Sequence, residues 1–169
     1  MTGVQTCALP IYDLIEDNTR GCMQQMVDVF QNQHCSMLAV ERVAESETES
    51  YGMVKVTENE GPISRIEYIV EKPKPELAPS NLGVVGRYIF TPAIFDKIVG
   101  IGKGAGGEIQ LTDAIADLLS DETVLAYEFE GNRYDCGSKL GYLKATVEYG
   151  LLHEELRDDF LVYLKNRVI

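Results

Sequence analysis

Two short stretches carry residue types that can do chemistry. In YIVEKPKPE, residues 68–76, an apolar run ends in Glu71 and Lys72 before Pro73 halts the pattern. As a surface ion pair these two would add little stability, and desolvating them is costly. Neighbours along a strand point to opposite faces, so the two side chains are poorly placed to pair with each other. The reading is instead that each serves a different part of one ligand, or that the bend at Pro73 swings both toward a cleft. A carboxylate accepts two hydroxyl hydrogen bonds, as from a sugar diol, and an ammonium suits a phosphate, so a sugar phosphate would employ both. In RYDCGSKLGY, residues 133–142, Asp135 sits where a strand ends and a helix begins, in a turn that Gly137 permits. Such a carboxylate either ligates a hard cation such as magnesium or caps the helix, and the residue types leave both open.

Other motifs fail on context. Gly102, Gly104 and Gly107 satisfy G-x-G-x-x-G, and Glu128 follows at about the distance of a ribose-binding acid. That fingerprint needs a strand feeding its glycines, whereas TPAIFDKIVG has helical periodicity, so a dinucleotide site is rejected. No G-K-[ST] occurs either, which excludes a Walker loop.

The elements that must position Glu71, Lys72 and Asp135 follow from periodicity. Apolar Met23, Met26, Val27 and Phe30 mark one face of a helix over 18–33, and SMLAVERV, 36–43, reads as a strand. Acidic AESETES reads as a solvated loop. YGMVKVT and ISRIEYIV are joined by ENEGP and should pair as a hairpin. NLGVVGRYIF is a further strand, and a helix from Pro92 carries Ile94, Phe95, Ile98 and Val99. Leu111, Ala114, Ile115, Leu118 and Leu119 give the next helix its buried face, and TVLAYEFEG is a strand. Ser138 can cap a helix carrying Leu140, Leu143, Val147 and Leu151, and a last helix spans roughly 154–165. Interleaved strands and helices without a repeat imply an α/β fold with a mixed sheet, in which ligands gather at the carboxyl ends of strands. Glu71 and Lys72 fall at one such end.

Composition bounds the rest. With 169 residues, 45% of them hydrophobic, the chain can bury one core. No run approaches the roughly 20 apolar residues that span a bilayer. A net charge of −12 with scattered cations argues against nucleic acid as a partner and leaves no case for a membrane partner. Cys7, Cys22, Cys35 and Cys136 have neither zinc spacing nor disulfide density, which favours reduced thiols in a cytoplasm, with Cys22 and Cys35 as small core residues. The opening MTGVQTCALPI matches nothing that follows and resembles a translated adapter remnant. Residues 1–12 are therefore read as non-native, with native sequence from near Tyr12 or Asp13.

In order along the chain, YGMV, VEKPKPELAPSNLGVVGRYIF, GAGGEIQLTDAI, RYDCGSKLGYLKATVEYGLLH and EELRDDFLVYL resemble the bacterial UTP:glucose-1-phosphate uridylyltransferases over about residues 13–165. E-K-P is shared among sugar nucleotidyltransferases; SNLGVVGRY, GEIQLTDAI and DCGSKLGY together are narrower. The resemblance implies a Rossmann-like, glycosyltransferase-A-like α/β nucleotidyltransferase domain, N-terminally truncated, of which 13–169 would be the C-terminal portion. It implies transfer of a uridylyl group from UTP to glucose 1-phosphate, giving UDP-glucose and pyrophosphate with magnesium, in a protein that is a homo-oligomer when full length. By carry-over, Gly52 lets backbone approach the sugar, Glu71 accepts sugar hydroxyls, Lys72 holds the sugar phosphate, Gly86 lines the sugar pocket and Asp135 is the second magnesium carboxylate. These groups would then surround one hexose phosphate and its metal. The sugar phosphate oxygen would attack the α-phosphorus in line, so that positioning and charge offset do most of the work.

The chain departs from that pattern at its start. The L-A-A-G-x-G-T-R loop for uridine and triphosphate is absent, and Tyr12 stands where the first metal Asp of a D-D-L-I strand end would align, with Asp13 matching the neighbouring acid. The expectation is a chain inactive and aggregation-prone alone. Alternatives are another sugar-1-phosphate nucleotidyltransferase, such as a glucose-1-phosphate thymidylyltransferase, or a non-catalytic sugar-phosphate-binding module.

Overall fold

A computed structural model of the chain describes residues 12–16, 20–57, 61–102 and 109–167. These form two compact units, one over 17–130 and one combining 11–16 with 131–169. Most of the opening segment read as non-native, residues 1–11, lies outside the described residues, as do Asn18, Gly104 and Gly107.

The larger unit is built on five strands: β2 (Ser36–Arg42), β3 (Gly52–Val56), β4 (Ile63–Glu71), β5 (Leu82–Ile89) and β6 (Val124–Glu128). They close in the order β2-β5-β3-β4-β6. The β2–β6 pair is parallel and every other pair antiparallel, so the expected mixed sheet is present, curled until its edges meet. Closure removes the exposed edges that an open sheet would leave. The β3–β4 hairpin forms as the sequence implies, with Gly52 opposite Glu71.

Two irregularities set which residues face inward. Lys55 opposes Tyr68 while Val56 opposes Ile66, so β4 carries one extra residue there. This bulge resets the alternation and lets both Ile66 and Ile69 be buried despite their odd spacing. On β5, Leu38 opposes Tyr88 and Val40 opposes Val84, and Gly86 lies within this bulge at φ 70°, a left-handed conformation that suits glycine.

All of Ser36, Met37, Leu38, Ala39 and Val40 are buried, because β2 is covered on both faces. The core joins Leu38, Val40, Val54, Ile66 and Ile69 of the strands to Ile94 of α2 (Ala93–Gly100) and to Ala114, Ile115 and Leu118 of α3 (Leu111–Leu118). Buried Ser36 is satisfied by donating to Glu122 Oε1 at 2.6 Å, while Thr91 donates to both oxygens of the same carboxylate. The helix α1 (Cys22–Gln33) buries Cys22, Gln25 and Met26, so its inner face includes an amide that apolar periodicity did not mark. Gln25 uses its full hydrogen-bonding capacity. It donates to the carbonyls of Arg20 and Glu130 and accepts from Tyr127 and the Glu130 N–H.

Several expectations need correction. AESETES is not a plain loop: Glu45–Ser50 is a 3₁₀ helix with Thr48 buried, its hydroxyl donating to the Glu45 carbonyl. Cys22 is a core residue, but Cys35 is only half-buried at the turn into β2. In α2 only Ile94 is fully buried, and Phe95 and Val99 are exposed.

The smaller unit pairs β1 (Asp13–Glu16) with β7 (Asn132–Asp135), antiparallel, followed by α4 (Lys139–Leu152) and α5 (Arg157–Lys165). Leu140 and Leu143 do not form a buried face; both are exposed, and Ala145 is the buried residue of α4. The helix meets β7 through Tyr149 edge-on to Tyr134, and a Cβ on Gly150 would lie 2.6 Å from the Phe160 ring, so α5 approaches there. Those contacts turn residues 140 and 143 outward. Among the described residues no helix is long and apolar enough to cross a membrane.

Burial holds the Tyr127 phenol above its ordinary pKa, with Glu130 adding to the effect. Because the folded pKa exceeds the unfolded one, this contribution to stability is complete below about pH 10 and is lost as pH rises through the folded value. Urea unfolding should therefore show a lower midpoint at pH 11 than at pH 8. In Tyr127→Phe that difference should shrink, at a cost of about 1 kcal/mol at neutral pH for the lost bond to Gln25.

Candidate functional site

Glu71 is the last residue of β4, and the chain breaks from the strand at once. Lys72 has φ 44°, one of two non-glycine residues with positive φ among those described. Its N–H donates to the Tyr51 carbonyl at 3.0 Å, which locks the reversal ahead of Pro73. A residue before proline normally favours extended backbone, so this left-handed geometry is held against local preference. Such strain concentrates where a side chain must be aimed.

The reversal corrects one inference from sequence. Opposite-face alternation ends at Lys72, and its ammonium returns to 3.4 Å from Glu71 Oε1. The pair is partly exposed and contributes little to stability. Glu71 Oε2 accepts a hydrogen bond from Thr112 Oγ1 at 2.5 Å. A Cβ on Gly52, directly across from Glu71, would come within 3.3 Å of that same oxygen and 3.6 Å of the Thr112 hydroxyl. Gly52, Glu71, Lys72 and Thr112 thus form one cluster at the end of the β3–β4 hairpin. Thr112 was not marked by sequence reasoning, although it lies inside the GEIQLTDAI stretch; a single hydroxyl on a helix carries no pattern of its own. Gly86 stands apart, with the backbone role in β5 already described.

In the smaller unit Asp13 and Asp135 are direct partners across β1 and β7. Asp135 Oδ1 accepts from the Gly137 N–H at 2.9 Å, and its carbonyl accepts from the Ser138 hydroxyl. The cap of α4 is Ser138, whose Oγ accepts from the Gly141 N–H at 2.9 Å, as the sequence implied. Asp135 therefore shapes the turn without itself capping the helix. Asp13 Oδ1 accepts from Arg133 Nε at 2.6 Å, with both side chains largely shielded from solvent. Arg133 was also missed. Its signal was available, because residues two apart on a strand share a face and reach diagonal partners across it. Burial, with Glu148 and Glu16 adding to it, keeps the nearby Tyr134 phenol above its ordinary pKa. Gly141 matters as well, since a Cβ there would overlap the Asp135 carbonyl oxygen.

The rejected glycine motif stays rejected. Helix α2 runs to Gly100, so a helix and not a strand precedes Gly102, and Glu128 is paired with Arg42 at 3.0 Å.

The model of the family described as nucleotidyl transferase matches residues 13–150. The chain belongs to that family. Among the chain's curated relatives is a UTP–glucose-1-phosphate uridylyltransferase of Staphylococcus epidermidis, 44% identical over 153 residues, 90% of this chain and 53% of the relative. Solved structures similar to it include a UDP-glucose pyrophosphorylase complexed with UDP-glucose, at 40% identity and TM-score 0.78, covering 81% of this chain and 52% of that one. A UTP-bound UGPase from Acinetobacter baumannii matches at 37% identity and TM-score 0.79, over 90% of this chain and 53% of that one. The chain spans about half the length of the curated relatives it matches.

Three substitutions probe this geometry. Lys72→Gly and Lys72→Ala both remove the ammonium, but only glycine relieves the left-handed backbone. The glycine variant should be more stable in urea by about 1 kcal/mol, and equal midpoints would show that the reversal is unstrained. Gly141→Ala should destabilise by about 1–3 kcal/mol or more and shift the Asp135 amide resonance, because the methyl has nowhere to go.

Proposed function

We propose that the protein containing this chain transfers a uridylyl group from UTP to glucose 1-phosphate, yielding UDP-glucose and pyrophosphate, with residues 13–169 as the C-terminal portion of its single nucleotidyltransferase domain. The observation that carries this reading is the Glu71–Lys72 pair. A carboxylate steadied by Thr112 lies beside an ammonium whose backbone is held in a strained turn to aim it. Relatives named UTP–glucose-1-phosphate uridylyltransferase, 40–44% identical, support the choice of substrates.

In this reading Glu71 accepts sugar hydroxyls, Gly52 keeps the approach to the sugar free of a side chain, Gly86 lines the sugar pocket and Lys72 takes the sugar phosphate. The chain needs no nucleophile of its own, since the sugar phosphate oxygen attacks the α-phosphorus directly. Its residues bind, orient and offset charge.

Magnesium fits the carboxylates of the smaller unit. Asp135 uses one oxygen for the Gly137 N–H, and Asp13 directly opposite is already balanced by Arg133. One or two carboxylates plus substrate phosphates is the donor set that magnesium favours. Asp135 is thus the principal ligand in this proposal and Asp13 its neighbour. When bound, the ion would offset the charge of the phosphates. The working setting is a cytoplasmic homo-oligomer.

Pyrophosphate release by the complete protein tests this, with glucose 1-phosphate and either UTP or dTTP. UTP should be preferred; a dTTP preference would move the assignment to a thymidylyltransferase. Lys72→Ala should lower kcat/KM for glucose 1-phosphate about 10- to 100-fold, the loss of one charge-assisted bond.

A further inference from the structure

We infer that Thr112 is a positioning residue that fixes the plane of the Glu71 carboxylate, so that Glu71 selects ligands with hydroxyls on two adjacent sugar carbons. This inference rests on the sugar-phosphate reading of Glu71 and Lys72 and adds to it the device that gives Glu71 its selectivity.

A free glutamate at a strand end rotates about its last torsion, and a rotating carboxylate discriminates poorly between diols and single hydroxyls. Here rotation is blocked. Thr112 Oγ1 lies 2.5 Å from Oε2, and the two atoms meet over the bare Cα of Gly52, where a Cβ would crowd them at 3.6 and 3.3 Å. The hydroxyl is held beside the carboxylate because Thr112 rides on a helix anchored by buried Ala114, Ile115 and Leu118.

A carboxylate offers about four acceptor positions on two oxygens. Thr112 takes one on Oε2. Oε1 faces the ammonium of Lys72, at 3.4 Å and largely exposed, and a phosphate that draws the ammonium off frees this oxygen. Both oxygens then present an acceptor position in one fixed plane, the arrangement that two neighbouring hydroxyls match.

Calorimetric titration of the complete protein with glucose 1-phosphate and its 2-, 3- and 4-deoxy analogues tests this, with melting curves to check folding. The two analogues that each lack one hydroxyl of the pair read by Glu71 should bind wild type about tenfold or more weakly than the parent, and the third, which keeps both, should bind nearly as well as the parent. Thr112→Val should bind glucose 1-phosphate about tenfold more weakly and lose that discrimination, while Thr112→Ser keeps both. Thr112→Ala serves as a second hydroxyl-free variant if valine impairs folding. Glu71→Gln marks the underlying reading. If it binds glucose 1-phosphate as tightly as wild type, the sugar-phosphate assignment fails and this inference with it. If Glu71→Gln weakens binding but Thr112→Val retains wild-type affinity and discrimination, the role of Thr112 alone is overturned.

Discussion

A carboxylate at the rim of an apolar barrel persists only if donors meet it there, and Glu71 is met on both oxygens. Much of the larger unit is arranged around that requirement. The register of β3 against β4 brings a residue without a side chain opposite Glu71. The burial of α3 brings a hydroxyl to one oxygen, and the left-handed turn at Lys72 brings an ammonium toward the other. No one of these contacts is worth much alone. Their value is geometric, since together they leave the charge one orientation.

The smaller unit solves a similar problem by other means. The Asp13 side chain is largely shielded from solvent, and Arg133 supplies the offsetting charge at a diagonal cross-strand position. Asp135 is half-buried and is shaped by backbone, through the Gly137 N–H and the Ser138 turn. One acid is neutralised by a side chain and the other steadied by the main chain, so the two opposed residues keep distinct electrostatic characters despite identical chemistry.

Much of this was legible in the chain. Strand alternation and turn residues identified the hairpin, and helix periodicity found α2 and α3. Glu71, Lys72 and Asp135 stood out because charged groups at element ends are costly without a purpose. What escaped notice depends on tertiary context. The bulge in β4 spoils a two-residue period, so Ile66 and Ile69 look mismatched until paired. Gln25 is buried because its amide is fully bonded, which apolar periodicity cannot register. Leu140 and Leu143 look like core residues by type, but the helix makes its contacts through Tyr149 and Gly150. That Glu71 and Lys72 are poorly placed to pair followed from a rule valid only inside a strand, and the strand ends at Glu71.

The described cysteines provide the molecule with its own clock. Cys22 is sealed beneath α1, whereas Cys35 and Cys136 are half open to solvent. A thiol-alkylating reagent would tag the latter two on contact, while the former would react only when its helix lifts away. The ratio of slow to fast modification therefore reads the opening frequency of α1 without any label being introduced.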